Sequence, residues 1–131
     1  MRREEREEFW RTFRLQIDRF SERGTRCEIR SNTFEVRQWD VEFVAREPRD
    51  VPRTATLRVL EHAPSTAVLL LAVSRTIVID GEVSELDRVL IPVFRDAQTG
   101  TFSLHADHGP VHEAQMPEFF CGMASGLLHR L

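Results

Sequence analysis

The sequence predicts an α+β domain: an N-terminal helix, a curved antiparallel sheet of about six to seven strands and a C-terminal helix, with both helices packed on one face of the sheet. Three observations carry this. The run Thr66–Val73 is apolar without interruption, too short for a bilayer and too short for a usual buried helix, so it predicts a central strand covered on both faces. Apolar side chains recur at helical spacing only near the two ends of the chain. Between those ends the pattern alternates with period two and is punctuated by turn residues.

Residues 2–23 predict the first helix. Phe9, Trp10, Phe13, Ile17 and Phe20 form one narrow aromatic stripe, Arg and Glu fill the other faces, and Leu15 alone points away. Glu4 and Glu5 in the first turn and Arg19 and Arg23 in the last suit the helix dipole, and Gly24 supplies a stop. Residues 26–47 predict paired strands. With Ser31-Asn32 as the turn, Cys27 falls opposite Val36 and Ile29 opposite Phe34. Beyond Gln38 the apolar positions change parity, which predicts a bulge or turn at Gln38-Trp39-Asp40.

The prolines of residues 47–53 mark an exposed connection, because they remove backbone donors and keep their predecessors out of the helical region. Thr54–Leu60 follows as a strand with Ala55, Leu57 and Val59 on one face, and residues 62–65 turn the chain into the central strand. Thr76–Val83 runs into an Asp80-Gly81 turn, and Ser84–Asp87 fits either a hairpin return or one turn of helix. Arg88–Arg95 is a strand whose Pro92 calls for an edge position or a bulge. Residues 96–100 form a hairpin loop ending in Gly, and Thr101–Ala106 returns with Phe102 and Leu104 on one face. The last helix begins near Pro117, and Phe119, Phe120, Met123, Ala124, Leu127, Leu128 and Leu131 give it a wide apolar arc.

Length and composition make the whole chain, residues 1–131, one domain with the apolar and charged content of an ordinary globular protein, 41% and 30%. All 18 basic residues are arginine, which suits a GC-rich coding genome, and a bacterial source is the expectation. Residues 1–60 hold 14 Arg against 12 acids, net +2, and residues 61–131 hold 4 Arg against 9 acids, net −5. With arginines alternating with acids and a pI near 6.0, nucleic acid is not an expected partner. Glu is as abundant as Arg on the polar side of the first helix, so an anionic membrane surface is not expected either. The first residues are charged and include no apolar signal segment, which makes the cytoplasm the expected compartment, with Cys27 and Cys121 as small buried side chains.

Two sets of residues carry candidate chemistry. His105, Asp107, His108 and His112 crowd into nine residues ending at Glu113, and imidazole with carboxylate is the ligand set of zinc and related metals. Residues 103–108 resemble a fragment of the His-x-His-x-Asp-His signature of the metallo-β-lactamase family, with Ser103 where that signature has its first histidine. Cys121, Ser125 and His129 fall on one side of the last helix, but no Gly-x-Ser-x-Gly elbow and no glycine-rich phosphate loop accompanies them. Gly122 and Gly126, one turn apart, fit a helix seam to the first helix or to a second copy.

The resulting expectation is a non-enzymatic binding or interaction module without a cofactor. It would hold a small apolar ligand or a protein segment between helices and sheet, with Trp10, Trp39 and Phe94 as contacts, and would self-associate as a homodimer. The alternative is a small metal-dependent hydrolase built on the His105–Glu113 cluster. The central strand sharpens the first reading, because both helices are committed to one of its faces and nothing in the chain is left to cover the other.

Overall fold

The structure is a computed structural model that describes residues 1–21, 27–45, 53–62 and 68–128, without the side chains of Cys27 and Ala45. Helix α1 (Arg3–Ser21) is followed by seven strands, β1 (Cys27–Glu35), β2 (Gln38–Ala45), β3 (Arg53–Glu61), β4 (Leu69–Ile79), β5 (Glu82–Arg95), β6 (Phe102–Ala106) and β7 (Gly109–His112). A single 3-10 turn, Glu113–Gln115, leads into helix α2 (Met116–Leu128). The strands form one curled antiparallel sheet in chain order, β1 to β7, so every neighbour in space is a neighbour in sequence. The apolar run that begins the central strand therefore lies in the fourth of seven strands, although its first residues, 66 and 67, fall outside the described ones.

Both helices lie on one face of the sheet. The α1 stripe of Phe9, Trp10, Phe13, Ile17 and Phe20 is buried, while Leu15 is exposed. From the sheet, Val41, Phe43, Ala55, Leu57, Val59, Leu69, Leu71, Val73, Ile91 and Val93 meet it, together with Phe120, Ala124, Leu127 and Leu128 of α2. Phe13 sits in a ring cluster, with centroids 5.2 Å from Trp39, 5.6 Å from Phe120 and 5.8 Å from Phe9. Edge-to-face and offset aromatic pairs of this kind add roughly 0.5–1.5 kcal/mol each beyond simple burial.

Two polar contacts tie the layers together. Arg6 of α1, buried to 7% exposure, donates from Nη1 to Glu61 Oε1 at 2.6 Å and from Nε to the Met1 carbonyl at 3.1 Å. Arg53 at the start of β3 donates to the Leu128 carbonyl at 3.0 Å, so a cation closes the C-terminal end of α2, where the helix dipole is negative.

The first hairpin differs from the sequence expectation. Ser31 and Asn32 continue strand β1, and the turn lies at Val36-Arg37, with Glu35 opposite Gln38 and Phe34 opposite Trp39. Arg37 takes the left-handed conformation itself, at φ 57, although it is not a residue type that signals a turn. A register shift between Ile29 and Ser31 brings Ile29 and Phe34 onto the core side despite their opposite parity. The later turn lets Phe34 and Trp39 stack at 5.9 Å against the helices. The parity change near Gln38 is thus the turn itself.

Three further local expectations resolve. Residues 84–87 belong to β5, which starts directly after the Asp80-Gly81 turn, where φ is 49 and 82. Pro92 sits where β5 loses one neighbour, because β6 pairs only with Val93–Arg95 and leaves residues 82–92 as a sheet edge. Residues 107–113, between the last expected strand and the last helix, hold the β6–β7 turn, strand β7 and the start of the 3-10 turn. The Gly24 stop, the connection at 46–52, the turn at 63–65 and His129 to Leu131 lie outside the described residues.

Candidate binding surfaces

The three aromatic candidates do not share a site. Trp39 is fully buried at 0% exposure, with Phe13, Phe34, Phe43 and Phe120 around it, because the Val36-Arg37 turn aims it at the helices. It is a core residue and neither caps an edge nor lines a groove. Trp10 is also largely buried but reaches the wall of a groove beside α1. Phe94 lies on the opposite side of the sheet. The expected ligand space between helices and sheet is occupied by the chain's own rings, including Phe9, Phe13, Trp39, Phe102 and Phe120.

The metal candidates are not gathered either. His105, Asp107, His108 and His112 are all exposed, and no group of three or more His, Cys, Asp or Glu side chains among the described residues is placed to hold a metal ion. The physical reason is the hairpin. It spreads His105 and His112 along two strands, opposite Pro110 and Ser103 respectively, and puts Asp107 and His108 at its turn. His105 instead packs its ring 4.2 Å from Phe94, and Glu113 Oε1 accepts the Phe102 backbone N–H at 2.6 Å. In α2, Cys121 is buried and Ser125 half-buried. Gly122 and Gly126 are exposed, and beyond their own helix backbone and chain neighbours no described atom lies within 4 Å of where a Cβ would sit. Neither glycine is a seam to α1.

A different surface emerges from the strand register. The residues that alternate with the core positions of β3, β4 and β5 line the face away from the helices. Across it, Leu60, Ala72 and Leu90 form one row, Leu70 and Pro92 the next, and Phe94 follows beside Ser103. Ala72 is buried without belonging to the helix-side core, while Leu90 is 49% and Phe94 44% exposed. The rim is charged. One row reads Asp40, Arg58, Ser74, Arg88, and Arg88 approaches His62 at 3.4 Å. Arg58 donates to Asp40 at 2.7 Å, and this bond raises the guanidinium further above its usual value. A bulge at Leu86, where Asp87 faces Arg75 and Glu85 faces Thr76, puts Glu85 and Arg88 on this same face. Asp87 itself pairs with Arg75 and raises that guanidinium in the same way.

The second surface is the groove, about 300 Å³, between α1 and the Val36-Arg37 turn. Arg3, Arg11, Arg14 and Arg37 surround it with Glu7 and Glu35, and Trp10, Phe34 and Val36 supply its apolar walls. Near the start of α1, Arg2 donates to Glu5 and holds that carboxyl below the ordinary range. Position pattern alone did not single out Leu60, Leu70 and Leu90, but the apolar content of both parities in the central strand was the available signal. The groove had none, since it depends on where the hairpin turns.

No family model, curated protein or solved structure matches this chain. No helix among the described residues is long and apolar enough to cross a membrane.

Proposed function

We propose that the protein is a non-enzymatic interaction module that pairs with a second copy of itself through the helix-free face of its sheet, in the cytoplasm. The observation that supports this reading is the apolar patch of Leu60, Leu70, Ala72, Leu90, Pro92 and Phe94, which both helices leave uncovered. Covering the exposed parts of Leu90 and Phe94 is worth roughly 2–3 kcal/mol together. The β5 edge over residues 82–92 adds unpaired backbone groups beside the patch.

A second copy suits this face better than an unrelated surface because the rim is self-complementary. Glu85 and Arg88 stand three residues apart on one face of one strand. Two β5 strands brought together antiparallel about a twofold axis set Glu85 of each copy beside Arg88 of the other. Light scattering tests the reading. The expected mass is twice the 15.2 kDa of the chain, falling to one chain in Leu90→Glu/Phe94→Glu with an unchanged circular dichroism spectrum. A wild-type mass of one chain at every concentration would contradict it.

A further inference from the structure

We propose that the groove between α1 and the β1–β2 turn binds small aromatic carboxylates. Its charge stands out from the rest of the molecule. Four arginines and two glutamates line it, net +2, on a chain whose formal charge is −3. Two of the four arginines are already committed: Arg3 to Glu7 at 3.2 Å, and Arg37 to Glu61 at 3.3 Å. Arg11 and Arg14 have no carboxylate partner among the described residues.

Arg14 is also positioned. Its guanidinium carbon lies 5.3 Å from the centroid of the Phe34 ring, a cation–π contact that restrains an otherwise mobile side chain. A guanidinium held by its face still offers in-plane N–H donors at its edge, and a carboxylate accepts two of them in parallel. The apolar wall gives the rest of the ligand's chemistry. Trp10 and Phe34 present ring surface beside these donors, which a flat apolar body covers and a bare inorganic anion does not. About 300 Å³ is the small end of ligand sites, which fits one or two fused rings and not a folded partner. The groove is on the helix side, opposite the proposed self-association face, so either conclusion stands without the other.

The experiment is an NMR titration of the full chain with 1-naphthoate, with neutral 1-naphthalenemethanol and inorganic phosphate as comparison probes. The indole N–H resonances of Trp10 and Trp39 are the readout. Saturable binding of naphthoate that shifts the Trp10 resonance and leaves the buried Trp39 still is expected. The alcohol and phosphate should each bind at least about tenfold more weakly, and Arg11→Gln/Arg14→Gln should weaken naphthoate by about tenfold or more. Both substituted side chains are exposed, so the variant retains its fold. Equal binding of naphthoate and its alcohol, equal binding of phosphate, an unaffected double variant, or no saturation by naphthoate would each overturn the proposal.

Discussion

Arg6 Nη1 and Glu61 Oε1 lie 2.6 Å apart with both side chains more than nine-tenths buried, and they join α1 to the last residue of β3. Arg37, from the tight turn of the first hairpin, reaches the other oxygen of Glu61 at 3.3 Å. One carboxylate thus gathers a helix, a central-sheet strand and a hairpin tip.

Breaking a buried pair costs roughly 3–5 kcal/mol, and the lower end applies here because Glu61 keeps the more exposed Arg37, whereas replacing both partners with apolar groups is often close to neutral. Arg6→Met should therefore lower unfolding stability by about 3 kcal/mol, and Arg6→Met/Glu61→Leu by clearly less. Urea denaturation of the wild type, the single and the double variant measures this. A single variant as stable as wild type would remove the pair from the account of how α1 docks.

Much of the architecture was legible in the residues themselves. The aromatic stripe of α1, the alternation of Ala55, Leu57 and Val59, the Asp80-Gly81 turn and the placement of β4 at the sheet centre each follow from one dominant local signal. The first hairpin was not legible, because its turn uses Val36 and Arg37, which carry no turn chemistry. Ser31-Asn32 offered a better local turn and was overridden by the burial of the Phe34–Trp39 pair. The candidate site failed for a related reason. Trp10, Trp39 and Phe94 are alike in type, yet register decides which of them face the helices, and it divides them between two sides of the sheet. The histidine cluster was a candidate ligand set by its spacing alone, and a short hairpin spreads it out.

The same division gives an expectation for substitution. Trp39→Ala removes a fully buried indole from the ring cluster and should cost roughly 3–5 kcal/mol. Phe94→Ala, measured in dilute solution where association is absent, removes a half-exposed ring and its contact with His105 and should cost only about 1 kcal/mol. Paired denaturant titrations check the contrast, and similar losses at the two positions would refute it.

Gly122 and Gly126 are exposed in the helical part of α2, with room for a Cβ at each. Gly→Ala at an exposed helical position recovers about 0.5–1 kcal/mol. Each substitution should raise the melting temperature. A lowered melting temperature or a changed mass in solution would mean that another backbone presses on this stripe.

Gly81 takes φ 82 in the turn between β4 and β5, where a side chain is strained whatever the space around it. Gly81→Ala should cost about 1 kcal/mol. Hydrogen exchange should locate the effect at the outer end of the hairpin, around residues 78–84. A loss spread evenly over the sheet would contradict a strain confined to this turn.

In the proposed dimer the helix-free face of the sheet meets its counterpart on a second copy. Isotope-filtered NMR on a mixture of labelled and unlabelled chains reads this directly. Intermolecular contacts are expected from the Leu70 and Leu90 methyls, including contacts to the Phe94 ring of the other copy, and they should vanish in Arg88→Glu and return in Glu85→Arg/Arg88→Glu. The absence of intermolecular contacts, or contacts confined to the Gly122–Gly126 side of α2, would contradict it.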